Sequence, residues 1–299
     1  MPCPGTVDGL GTNVASVTGI EVIGGRRVAV HTVAAGGGRT VVWCHGAPGA
    51  GRFDPDPAAT RSRDVTLIGV DRPGYGESDP MPPGEWCGVD RAADDLAEVL
   101  RRRADGPVGV AGWSSGGRVA LALAARHPGL VDRVAVVATP APDEQVPWLE
   151  PDFRAMAETL RDKAPEDAYG KLGVPGDGAQ VLDRLAEGEA DAVAAARERL
   201  TVMFDAAYAQ GPVGLLADTA GALLRPWGFE PAQVAAKTLL LYGATDPLVA
   251  TRHGKWWQQH LPDARYEQVP GAGHLLILTV WRRVLAHLAP GRARRLTSS

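Results

Sequence analysis

Cysteine is scarce in this 299-residue chain: only Cys3, Cys44 and Cys87 occur. An odd number without metal-ligand spacing argues against a disulfide framework and a zinc site, and HExxH is absent too. No apolar run approaches the roughly 18 residues of a membrane span. The most apolar patch near the C-terminus, Leu275–Leu278, is far too short. There is no basic excess: 31 Lys and Arg stand against 35 Asp and Glu, net charge −4. A chain built to grip phosphate backbones carries a basic surplus, so nucleic acid is not an expected partner. Residues 1–16, MPCPGTVDGLGTNVAS, lack the basic start and apolar stretch of a secretory signal, which makes the cytoplasm the expected compartment. What is present is an ordinary globular composition, 45% hydrophobic and 22% charged, enough to bury a large core.

Strand-like and helix-like segments alternate over the first half. VTGIEVIGG and RRVAVHTVA read as a hairpin turning at Gly24-Gly25. TVVWCHG (40–46), DVTLIGVD (64–71), PVGVAGW (107–113) and DRVAVVAT (132–139) read as further strands. Cys44 is a small core residue of the first of these. Between them, 90–103 puts Ala93, Leu96, Ala97 and Leu100 on one helical face, and Ser115–Arg126 forms a helix that stops near His127-Pro128. At Pro140 the rhythm breaks. Helical, alanine-rich segments without an evident strand run to about residue 231, one of them carrying Val193, Ala196, Leu200, Met203 and Phe204 at helical spacing. Alternation resumes with KTLLLYG (237–243), a helix near 251–260, RYEQV (265–269) and a last helix after His274; the basic tail PGRARRLTSS is expected to fray. This pattern predicts an α/β fold, a mostly parallel, doubly wound sheet with an inserted all-helical cap. The expected boundaries are 1–140 and 232–299 for the core and 141–231 for the cap.

Ligands bind such sheets at the carboxyl ends of the strands, so the chemistry should follow the strands. After 107–113 comes Gly112-Trp113-Ser114-Ser115-Gly116-Gly117, then a helix. A nucleophilic serine on a tight strand-to-helix turn needs small residues two positions before and two after it. Ser114 has Gly112 and Gly116 there; Ser115 has Trp113 on one side, so Ser114 is the better nucleophile. A serine needs a base. His274 ends a flexible Pro270-Gly271-Ala272-Gly273 loop after a strand, and is the candidate. His253 reads as a surface residue of a helix, and His31, His127, His260 and His287 as strand or helix residues. The orienting acid is Asp246, in the loop after 237–243, with Asp143 as the alternative. Two N–H groups should hold the oxyanion: that of Ser115, at a helix start, and that of Ala47, in His45-Gly46-Ala47-Pro48-Gly49, where Pro48 has none to give.

Five segments in order, HGAPG (45–49), DRPGYGES (71–78), GWSSGG (112–117), GATDPLV (243–249) and GAGH (271–274), resemble the α/β-hydrolase fold superfamily, in its serine-nucleophile form with a helical cap. The resemblance implies Ser114 as nucleophile, His274 as base, Asp246 as its acid and the Ala47 and Ser115 N–H groups as oxyanion hole. Arg72 and Tyr75 then belong to a structural loop near the site. Relatives that open epoxides or cleave carbon–halogen bonds carry aspartate where this chain has Ser114, which disfavours those reactions. The implied activity is cofactor-independent and metal-free hydrolysis of a small or medium apolar ester, or of an amide, thioester or lactone, through an acyl-enzyme. The same fold also supports acyl transfer, perhydrolysis, lysis and cyclisation, and a non-catalytic ligand receptor is a further alternative. The expected partner is a small-molecule substrate, with no membrane. Trp113, Trp148, Phe204 and Tyr208 are the candidate substrate-binding residues.

Overall fold

The computed structural model describes residues 17–291. The expectations for residues 1–16, for Cys3 and for most of the basic tail fall outside them. Strand β1 (Val17–Ile23) turns into β2 (Arg26–Ala34) through Gly24 and Gly25, both at positive φ (56° and 78°). Paired left-handed residues give the turn whose twist matches a tight hairpin. There follow β3 (Thr40–Cys44), helix α1 (Pro57–Arg63), β4 (Thr66–Val70), α2 (Val89–Arg103), β5 (Val108–Trp113), α3 (Gly116–Arg126) and β6 (Val131–Val137). After α4 (Pro151–Leu160), α5 (Pro165–Tyr169), α6 (Gly178–Ala207), a short extended segment β7 (Ala209–Pro212) and α7 (Val213–Leu224), the core resumes. It continues with β8 (Lys237–Gly243), α8 (Thr251–His260), β9 (Ala264–Val269), a 3₁₀ turn (His274–Leu276) and α9 (Ile277–Leu288).

Eight strands form one sheet in the order β1-β2-β4-β3-β5-β6-β8-β9. The β1/β2 and β2/β4 pairs are antiparallel and every later pair is parallel. Period-two alternation divides the side chains into two cores. Val42, Cys44, Val110, Val134, Val136 and Leu240 pack with α2, α3 and Trp257 of α8. Val41, Trp43, Ala111, Ala135, Val137 and Leu239 pack with α9 and with Ala59 of α1. A parallel sheet must be covered on both faces, and here both are.

The excursion between β6 and β8 is made of helices and loops with one short strand, β7, whose four residues depart from the strand-free reading of 141–231. Asp177 caps α6 by accepting from the Gln180 N–H at 2.9 Å. Val193, Ala196, Leu200, Met203 and Phe204 are all buried along α6, as their spacing predicts, in the same core that covers α9. At Glu189 the helix leaves helical geometry (φ −141°, ψ 47°). This break places a carboxylate against the site described next.

Candidate active site

The turn between β5 and α3 is built on contacts that only glycine allows. A Cβ on Gly112 would lie 2.5 Å from Gly116 O, and one on Gly116 would lie 2.1 Å from Cys44 O. Between them Ser114 takes φ 53°, a left-handed conformation costing an L-residue roughly 1–2 kcal/mol. The turn holds it there: Ser114 N–H donates to Val137 O at 2.9 Å, and the Thr139 hydroxyl donates to Ser114 O at 2.8 Å.

Ser114 Oγ lies 3.1 Å from His274 Nε2, and His274 Nδ1 lies 3.0 Å from Asp246 Oδ2. A carboxylate only accepts, so the proton sits on Nδ1, and Nε2 is left to accept from the serine hydroxyl. Asp246 is 8% exposed. Its other oxygen accepts from the Leu248 and Val249 N–H groups at 2.8 and 2.9 Å, which fixes the carboxylate plane. The indole of Trp113 donates from Nε1 to His274 O at 2.9 Å, and its ring stands 5.5 Å from the imidazole.

Glu189 reaches the same histidine from the helical excursion. Its carboxylate accepts from His274 N–H at 2.6 Å and from Leu275 N–H at 3.0 and 3.1 Å. These are the first N–H groups of the turn leading into α9, which have no partner within the helix. Gly273 admits the carboxylate, since a Cβ there would lie 2.4 Å from Glu189 Cδ.

The loop after β3 lies beside the serine: a Cβ on Gly46 would meet the Trp113 ring at 3.1 Å and Ser114 Cβ at 3.5 Å. Buried Arg72 donates to Gly46 O at 2.8 Å, to His45 O, and to Ser115 Oγ at 3.3 Å. Its guanidinium pairs with Asp218 of α7 at 2.6 Å, and the Tyr75 hydroxyl donates to the same carboxylate at 3.3 Å. Burial acts to lower the Arg72 pKa, but Asp218 outweighs it and the pKa is raised, so Arg72 stays charged. His45, buried and beside Arg72, is held well below its ordinary pKa. As a neutral ring it donates from Nδ1 to Gly46 O at 2.8 Å and accepts the Arg72 N–H at Nε2. Ser115 is the N-cap of α3, and Ala47 is half-buried. Among the described residues neither of their backbone N–H groups has an acceptor.

The model of the alpha/beta hydrolase fold family matches residues 39–279, which carry all but the first two strands. The chain belongs to the α/β-hydrolase family. This α/β hydrolase is 31% identical over 215 residues to the pimeloyl-[acyl-carrier protein] methyl ester esterase of Chromobacterium violaceum, covering 70% of this chain and 77% of that one. To the enzyme of the same name from Nitrosomonas europaea it is 29% identical over 262 residues, covering 84% and 94%. The crystal structure of a hydrolase from Pseudomonas aeruginosa PA01 superposes with a TM-score of 0.67 at 21% identity, covering 91% of this chain and 98% of that one. The chain is an esterase-like α/β hydrolase.

The structure of this hydrolase brings Ser114, His274 and Asp246 into one hydrogen-bonded line. It places Asp143 elsewhere: that carboxylate accepts from the Trp148 and Leu149 N–H groups and pairs with Arg154, which together outweigh desolvation and pull its pKa down to about 2. Trp113 packs against the histidine. Phe204, 1% exposed, packs over Gly178 within the excursion. Tyr208 donates its hydroxyl to Pro175 O at 3.0 Å and joins an apolar cluster with Tyr75, Leu215 and Ala47. Trp148 lines a separate cavity whose walls include none of Ser114, Asp246 and His274. His253 corrects the surface reading: it is 1% exposed, and its Nδ1 accepts the Ala141 N–H at 3.1 Å. Its helix turns it inward beneath the loop after β6. Glu189 and Asp218 have no sequence reading, because each acts across a gap of 85 to 146 residues that no local pattern spans.

Proposed function

We propose that this hydrolase cleaves small or medium apolar carboxylic esters through an acyl-enzyme on Ser114, inside the cytoplasm. His274 Nε2 takes the hydroxyl proton as Ser114 Oγ attacks the ester carbonyl. Asp246 fixes the Nδ1 tautomer and stabilises the imidazolium that forms. The tetrahedral oxyanion is received by the Ala47 and Ser115 N–H groups, donors worth about 3–4 kcal/mol each at such a position. As the intermediate collapses, the leaving alkoxide takes the proton from His274. A water then repeats the sequence on the acyl-enzyme, releasing the acid and restoring the serine. Residues 141–231 act as a cap over the strand ends, with Tyr208, beside Ala47 in one apolar cluster, on the substrate side. Trp113, whose ring stands 5.5 Å from the His274 imidazole, is a further apolar wall, whereas Trp148 and Phe204 lie away from the serine.

The observation that carries this reading is the continuous Ser114–His274–Asp246 chain, at 3.1 and 3.0 Å. The curated relatives are named for the methyl ester of a pimeloyl-[acyl-carrier protein], which supports carboxylic ester hydrolysis as the reaction. The test is a series of p-nitrophenyl and methyl esters of increasing acyl length, with released acid measured directly. Hydrolysis that peaks at short or medium chains and falls roughly 10³–10⁶-fold in Ser114→Ala supports it. Wild-type turnover by Ser114→Ala, or exclusive transfer of the acyl group to an added alcohol, counts against it.

A further inference from the structure

A second cavity, of about 910 Å³, opens between α4, the loop after β6, the end of α7 and α8. That is the size of a small-molecule site. One wall is aromatic: Trp227 stacks with Phe229 and Trp257 at 6.4 and 6.2 Å, and Trp256 stands edge-on to Trp257. Asp143 pairs with Arg154, Glu144 and Glu158 share Arg161, and Arg225 and Glu230, which also line the cavity, are exposed. Arg118 is buried. It is 4% exposed, lines the cavity, and lies 4.7 Å over Trp227 and 5.8 Å over Trp148. Among the described residues it has no carboxylate partner. Its one hydrogen bond, Nε–H to Pro140 O at 3.5 Å, leaves both terminal nitrogens without an acceptor. Burial pulls its pKa down to about 10, which still leaves it charged at neutral pH.

A buried guanidinium is costly unless an anion meets it. The fork of two terminal nitrogens matches a planar carboxylate. We propose that this cavity binds a small organic carboxylate with an apolar or aryl body, the carboxylate on Arg118 and the body against Trp227, Phe229 and Trp256. The site is separate from the serine and does not depend on the esterase reading.

The test is calorimetric titration of the intact protein with hexanoate, phenylacetate and 4-phenylbutyrate, each against its neutral amide. Wild type and Ser114→Ala should bind at least one carboxylate equally well and in preference to its amide. Arg118→Met should bind it roughly 10- to 100-fold more weakly, the range set by a charge-assisted hydrogen bond. Its melting temperature should match or exceed wild type, because an unpaired buried charge is removed. Arg118→Lys, which keeps the charge but loses the fork, should also bind more weakly than wild type. No preference for any of the three carboxylates overturns the proposal. So does binding that is unchanged in both Arg118 variants, or that disappears in Ser114→Ala.

Discussion

Glu189 contributes three hydrogen bonds to the backbone that carries the histidine, and none to the reacting atoms. It acts as a positioning residue. Glu189→Ala leaves the His274 and Leu275 N–H groups without their acceptor, so kcat should fall by about tenfold or more with little change in KM. Stability should fall by about 1–3 kcal/mol. Glu189→Gln keeps one carbonyl acceptor and should recover part of both losses. Equal kcat in all three proteins would remove Glu189 from this role. Gly116→Ala tests the turn itself. The added Cβ would sit 2.1 Å from Cys44 O, a backbone atom that cannot swing aside. A destabilisation of at least about 1–3 kcal/mol, with loss of hydrolysis, is expected by denaturant titration. The small residues flanking Ser114 were legible in the sequence because their cause is local: one turn, six residues, no room. Glu189 was not, since nothing near it in the chain tells a carboxylate that caps a distant turn from one that faces water.

Among elements, the strands of the core and helices α2, α3, α8 and α9 follow the sequence reading, and β8 matches it residue for residue at 237–243, whereas α1, only seven residues long, has no reading. Buried parallel strands are short apolar runs bounded by turn residues, and amphipathic helices repeat at 3.6, so both leave local marks. The excursion shows where such marks fail. The break in α6 falls in a run without Pro, and β7 is four residues with no alternation. His253 shows the same limit, because helical position alone does not reveal that the loop at Ala141 covers it. The join between α7 and the loop after β4 is also a tertiary fact, carried by Arg72 and Asp218. Asp218→Ala would strand a buried guanidinium and should cost about 3–5 kcal/mol. Replacing both partners, Arg72→Met with Asp218→Leu, should cost less than the sum of the single changes. Additive losses in that double-mutant cycle would show that the pair does not couple the two elements.

For the whole molecule, buried and half-buried histidines shape the response to acid. Burial, then the Arg252 charge, lowers the His253 pKa from 6.5 to about 4; His45 and His287 shift in the same direction. Each is held neutral in the fold while the unfolded chain takes up a proton below 6.5. The stability they contribute is complete above pH 6.5 and is lost as pH falls. For His253 that loss ends near pH 4 and amounts to at most about 3 kcal/mol. Asp54 opposes this: burial raises its pKa to about 6, so its contribution is complete below 3.8 and is lost as pH rises through 6. Denaturant titrations of wild type and His253→Gln should therefore show a shallower loss between pH 6.5 and 4 in the variant. Parallel curves would contradict the burial of a neutral His253.

The most direct measurement on the reacting group is labelling by diethyl p-nitrophenyl phosphate, read by intact mass and by fragment spectra of the peptide that spans both serines. The expected result is one diethylphosphoryl group per chain, on Ser114 and not on Ser115, with hydrolysis lost in step and no adduct in Ser114→Ala. An adduct on Ser115, or full hydrolytic activity in a protein labelled to completion at Ser114, would contradict the serine chemistry derived from this site.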